Sequence, residues 1–298
     1  MNNFKCGFIA VVGKPNVGKS SLVNALVGEK VAIVSPKPQT TRNKIYGILN
    51  SKDCQMIFVD TPGEINAQNK LAKFMAKSIE AGINGVDGII IVLDATKVNS
   101  ADYKIIERYN DSKVPVFIVI NKIDLASYEQ LYPVLAKLNE YKFIKEFVST
   151  SALKGNNLEE LKAKLISILP FGVPLFDQEV YTNRNMRFMA AEIIREKVLL
   201  FVQDEIPHFT AIEIITYNES DRLVKISADI VCDKENHKEI IVGSKGSMIK
   251  KIGSSARIDL EKLTGKKVYL ELFVKTREGW QTNSNSLKDL GYDINDIN

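Results

Sequence analysis

Histidine, cysteine and tryptophan are scarce in this sequence: two, three and one among 298 residues. With only His208 and His237, a histidine-built zinc site or a Ser-His-Asp triad has almost no material. Cys6, Cys54 and Cys232 are widely spaced and odd in number. That fits neither a disulfide framework nor a metal-ligand spacing, and points to a reducing cytoplasm. Long apolar runs are missing as well. The longest, near Ile89–Leu93 and Val114–Ile120, fall far below membrane-spanning length. The short apolar run behind the N-terminal residues is too small for a signal-peptide core. Neither charge sign dominates, since 40 basic residues face 36 acidic ones for a net +4. The distribution of charge therefore matters more than its sum. The hydrophobic fraction of 45% and charged fraction of 26% are those of an ordinary soluble globular protein. The length suits two domains.

What is present is an alternation. Short Ile/Val-rich runs at Phe8–Val12, Gln55–Val59, Gly88–Leu93, Pro115–Ile120 and Phe143–Val148 read as buried strands of a mostly parallel sheet. Amphipathic stretches at Ala72–Ala81, Asp102–Asn110, Glu129–Asn139 and Leu158–Ile168 lie between them. The pattern predicts a doubly wound α/β domain, with ligands outside the carboxyl ends of the strands.

At the first such end stands Gly13-Lys14-Pro15-Asn16-Val17-Gly18-Lys19-Ser20, followed by Ser21 and a helical run. The spacing Gly-x4-Gly-Lys-Ser between strand and helix is a phosphate cradle. Its glycines let backbone N–H groups turn inward, and the helix that follows adds its own free N–H groups and dipole. Lys19 supplies a point charge to the outer phosphates, and the Ser20 hydroxyl is a hard ligand for Mg²⁺. Asp60-Thr61-Pro62-Gly63 follows the second run. Asp60 there can hold Mg²⁺ through a water, and the Gly63 N–H can reach a γ-phosphate. Asn121-Lys122-Ile123-Asp124 ends the fourth run. A carboxylate at Asp124 pairs with the N1–H and exocyclic amine of guanine, a donor pair that adenine lacks. Asn121 braces the loop, and the aliphatic stem of Lys122 covers the ring. Ser151-Ala152-Leu153-Lys154 ends the last run, where a backbone N–H can meet the base oxygen.

Four such segments in order at strand ends resemble the translation-factor-related GTPases. In that class the stretch Pro36-Lys37-Pro38-Gln39-Thr40-Thr41-Arg42 is a switch whose threonine completes the Mg²⁺ shell when GTP is bound. We assign that role to Thr41, with Thr40 as the alternative. Ras-like proteins orient the attacking water with a glutamine just after the Asp-x-x-Gly motif. Here Glu64 and Ile65 stand instead. Some relatives with a Thr-Thr-Arg switch bind K⁺ through an asparagine of the glycine loop, in place of an arginine finger. Asn16 occupies that position, so slow hydrolysis stimulated by K⁺ is expected, with Asn16, Lys19, Thr41 and Gly63 as the catalytic set. The alternative is that Asn16 only shapes the loop.

Beyond Pro170-Phe171-Gly172-Val173-Pro174 a second unit begins. Asn185–Val202 is helical by period, with Met186, Met189, Ile193, Val198 and Phe201 as the expected buried stripe. Ala211–Tyr217, Leu223–Val231 and Val268–Lys275 read as strands. Helices around Lys238–Val242 and Ser247–Thr264 flank Gly243-Ser244-Lys245-Gly246. A Gly-x-x-Gly loop between helices is the KH signature for clamping an RNA backbone. From Lys234 to Lys267 nine basic residues face four acidic ones, a larger surplus than that of the whole chain. Lys245, with Lys250, Lys251 and Arg257, is the expected RNA footprint.

A GTPase domain (1–170), a linker (171–180), a type II KH domain (181–277) and a tail (278–298) resemble the Era family of bacterial ribosome-assembly GTPases over nearly the whole chain. The resemblance implies binding of GTP and GDP, of 16S rRNA at its 3′ end in the 30S subunit, and peripheral association with the inner membrane. A cytoplasmic monomer with Mg²⁺ as cofactor is expected. The linker fixes no domain orientation, and the tail is expected to be loosely held apart from Trp280 and Leu287–Tyr292. The tail stretch Gln281–Ser286 has no arginine where relatives often carry it. Two rival readings remain at this level: a KH module whose nucleotide domain binds without turnover, and an ATPase.

Overall fold

The computed structural model describes residues 3–64 and 69–297; Ile65 lies outside them. The alternating runs become strands β1 (Lys5–Val12), β3 (Cys54–Asp60), β4 (Gly88–Asp94), β5 (Val116–Asn121) and β6 (Ile144–Ser149), all parallel, with β2 (Ile45–Asn50) antiparallel at one edge. The sheet order is β2-β3-β1-β4-β5-β6. β2 is an addition to the expected pattern. Helices α1 (Lys19–Val27), α2 (Lys70–Ile83), α3 (Ser100–Glu107), α4 (Tyr128–Leu138) and α5 (Leu158–Ile168) cover both faces. One core layer gathers Ile9, Leu22, Phe58 and Phe117, and the other Val12, Ile91, Ile106 and Ile118. Strands buried on both faces cannot alternate, which is why they read as unbroken Ile/Val runs.

The second unit runs α6 (Met186–Phe201), β7 (Thr210–Glu219), β8 (Leu223–Cys232), α7 (Glu235–Val242), α8 (Ser247–Thr264) and β9 (Lys267–Thr276). Its sheet is β7-β8-β9, antiparallel then parallel. Of the expected stripe on α6, Met189, Ile193 and Val198 are buried, while Met186 and Phe201 are half-buried. The helix also buries Glu192, Arg195, Glu196 and Lys197. Charged groups are buried only with partners, and these find theirs partly across the domain boundary.

The tail is held more firmly than its composition suggests. Leu71, Phe74 and Met75 of α2 form one cluster with Ala211, Val231, Trp280, Leu287, Leu290 and Tyr292. Helix α9 (Ser284–Asp289) is capped by Asn283, and the Leu71 N–H donates to the Gln281 carbonyl at 3.2 Å.

The segment after Pro170 also does not hang free. Gln55 of β3 accepts from the Leu175 and Phe176 N–H groups at 2.7 and 3.0 Å and donates back to the Phe176 carbonyl at 2.8 Å. Asn50 donates to the carbonyls of Gln178 and Val180, Ile48 N–H to the Tyr181 carbonyl, and Gly47 pairs with Thr182. The linker runs along the free edge of β2 and satisfies it.

Candidate nucleotide and RNA sites

The parallel register lines up the carboxyl ends. Val11 stands opposite Asp60 and Asp94 opposite Asn121, so the glycine loop, Asp60, Asp94, Asn121 and the Ser151 turn form one row. A cleft of about 530 Å³ opens there, lined by Pro15, Asn16, Gly18, Lys19, Ser20 and Ser21 with the switch residues Val34–Pro36 and Gln39–Thr41.

Gly13 and Gly18 hold φ of 140° and 96°, values that side chains resist. A Cβ on Gly18 would meet Asn121 Nδ2 at 2.3 Å. Gly63 lies against the loop, where a Cβ would strike Pro15 Cα at 2.8 Å. Lys19 is buried and donates to the carbonyls of Gly13 and Lys14 at 3.0 and 2.9 Å. Burial pulls its ammonium down to about 8, against the charges of Asp60 and Glu64.

Ser20, Thr41 and Asp60 converge. Ser20 Oγ lies 2.6 Å from Asp60 Oδ2 and 2.8 Å from Thr41 Oγ1, and Thr41 Oγ1 lies 3.5 Å from Asp60 Oδ2. Thr40 turns away, donating to the Lys37 carbonyl and to Ser35 Oγ. Burial pushes the Asp60 carboxyl up to about 6, against the Ser20 hydrogen bond and the Lys19 charge, and its Oδ1 is buried without a partner. Two hydroxyls and one underused carboxylate are hard oxygen donors that suit Mg²⁺ shared with phosphate oxygens. Among the described residues, no group of three His, Cys, Asp or Glu offers a different metal site. Asn16 holds a φ of 64°, and its Nδ2 donates to the Pro36 carbonyl of the switch at 2.7 Å.

At the carboxyl end of β5, Asn121 joins two loops: Nδ2 donates to the Val17 carbonyl at 3.1 Å, and Oδ1 accepts from the Ala152 N–H at 3.0 Å. Lys122 Nζ bonds the Asn16 carbonyl and Asp94 Oδ2 at 2.6 and 2.7 Å. Despite partial burial, those bonds and the Thr96 contacts hold Asp94 below the usual carboxylate range. Asp124 and Leu153 are exposed and outside the lining of the cleft, while Thr61 and Pro62 are buried beneath it. Thr61 Oγ1 bonds the Val11 carbonyl. Lys97 and Leu200 of α6, which line the cleft, and Asp94, which reaches it through Lys122, carry no sequence signal that would place them at this site. The Asp94-Ala95-Thr96 turn carries no motif that would have marked it.

In the second domain Gly243, Lys245 and Gly246 have φ of 73°, 49° and 78°. A Cβ on Gly243 would lie 2.8 Å from the Met248 nitrogen. Ser244 and Lys245 are exposed. A groove beside this loop is lined by Ile249, Lys250, Gly253, Ser254, Arg257, Leu270 and Leu272. Lys251 does not line it; its Nζ sits 4.4 Å over the Phe201 ring.

Residues 8–122 match the family described as 50S ribosome-binding GTPase, and residues 205–281 match the KH domain family. The GTPase Era of Thermoanaerobacter sp. (strain X514) is 44% identical over 293 residues, covering 97% of each chain. That of Clostridium kluyveri is 42% identical over 290 residues, 97% of this chain and 99% of the relative. The chain belongs to the Era family. Two solved Era structures superpose with TM-scores of 0.92 at 38% identity, covering 97% of this chain and 99% of theirs. One is an Aquifex aeolicus Era variant bound to GDP and tetrafluoroaluminate; the other is Era with MgGDPNP and nucleotides 1506–1542 of 16S ribosomal RNA. The Era architecture, a P-loop GTPase domain followed by a KH domain, is thus the architecture of this chain.

Proposed function

We propose that this chain hydrolyses GTP as a switch and binds the 3′ end of 16S rRNA through its KH domain during small-subunit assembly. One observation carries the switch: Ser20, Thr41 and Asp60 meet within 3.5 Å. Those hard oxygen donors, brought together from the glycine loop, the switch and the end of β3, would suit a Mg²⁺ ion held with the nucleotide. Gly13–Ser21 cradle the phosphates and Lys19 neutralises the outer ones. Mg²⁺, when bound, would sit on Ser20 and Thr41 with Asp60 behind, and would draw off charge from the phosphate oxygens. Asp60-Thr61-Pro62-Gly63 faces the γ-phosphate. Asn121, Lys122 and Asp124 select guanine, with Ser151, Ala152 and Leu153 closing the base site. Gly243–Gly246, Lys250 and Arg257 hold the RNA. The segmentation 1–170, 171–180, 181–277 and 278–298 belongs to the same reading.

The MgGDPNP complex of the Era relative with 16S rRNA supports the RNA assignment. A phosphate-release assay with and without a short 16S 3′-end oligonucleotide tests it. Undetectable release in both would leave only a nucleotide-binding KH module. Exchange of Asp124→Asn should turn preference from GTP toward the xanthosine nucleotide; unchanged GTP affinity would remove Asp124 from the base site.

Asn16, bonded to the Pro36 carbonyl, brings neutral amide and carbonyl oxygens to one side of the cleft. Such oxygens suit K⁺, and turnover should be faster in K⁺ than in Na⁺ buffer. The family resemblance further supports a cytoplasmic monomer with a fraction on the inner membrane. Among the described residues no helix is long and apolar enough to cross a membrane. Fractionation and sedimentation test both statements.

A further inference from the structure

The switch is tied to the second domain along its length. Val34 N–H donates to Glu196 Oε1 at 3.0 Å, Lys37 Nζ to the Val202 carbonyl, and Arg195 to the Thr40 carbonyl. Glu196 is itself held by Lys30 and Lys197, and Arg195 by Glu192.

The strongest tie is Arg42. It is fully buried and donates to the carbonyls of Thr210 and His208 at 2.7 and 3.0 Å and to Tyr292 Oη at 3.3 Å. Its guanidinium lies 5.8 Å from the Trp280 ring and 5.9 Å from that of Tyr292, and these two rings stack on each other. Among the described residues no carboxylate is paired with it; carbonyl dipoles and two aromatic faces solvate the charge. Arg42 directly follows Thr41, and the two side chains reach opposite ways, one to Ser20 and Asp60, the other into the tail.

We propose that Arg42 is a positioning residue for the GTPase site, through which the Trp280–Tyr292 cage of the RNA-binding half holds Thr41 at the Mg²⁺ position. The proposal rests on the GTPase reading above. A free switch loses about 1–2 kcal/mol of backbone entropy per residue when it orders. A switch already clamped to a neighbouring domain has lost most of it before ligand arrives. A switch threonine held at that position gains a contact from a γ-phosphate and its metal that a diphosphate does not offer. The clamp therefore favours the triphosphate and leaves the diphosphate unaffected. By reciprocity the triphosphate tightens the docking of the tail. The chain holds one tryptophan, so tryptophan emission reads the cage directly.

The test uses the full chain and compares wild type with Arg42→Met, Arg42→Lys and Tyr292→Phe. Arg42→Met should weaken MgGDPNP binding about tenfold, leave GDP affinity within about twofold and lower kcat for GTP. Arg42→Lys should recover part of the loss, and Tyr292→Phe, which removes one hydroxyl, should shift the same ratio by a smaller factor. Wild-type Trp280 emission should differ between MgGDPNP and GDP, and the difference should vanish in Arg42→Met. Equal weakening of GDPNP and GDP would reduce Arg42 to a structural role and overturn the proposal. So would a Tyr292→Phe variant and an Arg42→Met variant that both keep wild-type ratios. Failure of the wild type to bind either nucleotide would instead sink the GTPase reading.

Discussion

Asn121, at the carboxyl end of β5, donates from Nδ2 to the carbonyl of Val17 in the phosphate loop at 3.1 Å. The same side chain accepts from the Ala152 N–H, so one amide fixes the glycine loop and the Ser151 turn together. Asn121→Asp keeps the shape but removes the donor and sets a carboxylate against a carbonyl. Guanine nucleotide affinity should fall about 100-fold or more, with a stability loss of about 1–3 kcal/mol. Titration calorimetry with GDP and denaturant unfolding check the pair of values.

The two switch threonines should separate cleanly. Thr41 Oγ1 faces Ser20, whereas Thr40 Oγ1 bonds the Lys37 carbonyl. Thr41→Ala should raise the Mg²⁺ concentration needed for half-maximal GTP turnover about tenfold or more, while Thr40→Ala should change it less than about threefold. A Mg²⁺ titration of phosphate release decides; similar shifts in both variants would remove Thr41 from the metal.

The Gly-x-x-Gly loop should tolerate little at its first glycine. Gly243→Ala places a Cβ 2.8 Å from the Met248 nitrogen at a φ of 73°, and should weaken RNA oligonucleotide binding with GDP affinity unchanged. Lys245→Glu should weaken it at every sequence and lower the salt slope by about one. Fluorescence anisotropy at several salt concentrations reads both.

Acid should loosen the domain contact. Burial and the Arg42 charge hold the His208 imidazole below its usual range, with Lys37 and Arg195 adding to the effect and Glu205 opposing it. The docked state then binds fewer protons than the unfolded chain, whose histidine titrates near 6.5. Stability should fall as pH drops below about 6.5 and level off beneath the folded value. Thermal unfolding across that window checks the direction, and His208→Gln should flatten the curve.

The parts of the molecule that were legible from sequence are local. The parallel strands declared themselves through unbroken Ile/Val runs, and the nucleotide motifs through spacing at strand ends. β2 was not legible. Its run Ile45–Asn50 is interrupted by Gly47, and only the structure shows why: a Cβ there would meet Val23 Cγ1 at 2.6 Å. The buried charges Glu192, Arg195, Glu196 and Lys197 look like a solvated helix face, because helical period reports burial within a domain and says nothing of a second domain. Arg42 and Tyr292 meet across a separation of 250 residues, and neither carries a motif that would pair them.

The linker along β2 decides how the two halves can move. Its attachments continue through Thr182 to Asn183, whose Oδ1 accepts from the Tyr46 N–H, and α6 begins at Met186. Arg184 also donates to the Lys44 carbonyl, so one residue separates the last anchor from the first helical turn, a reach of about 7 Å when extended. Undocking of the KH domain is therefore a swivel on a short leash. Even fully parted from the switch, the second domain stays at an effective concentration on the order of millimolar near the nucleotide, so its re-docking is a unimolecular event that dilution of the protein leaves untouched.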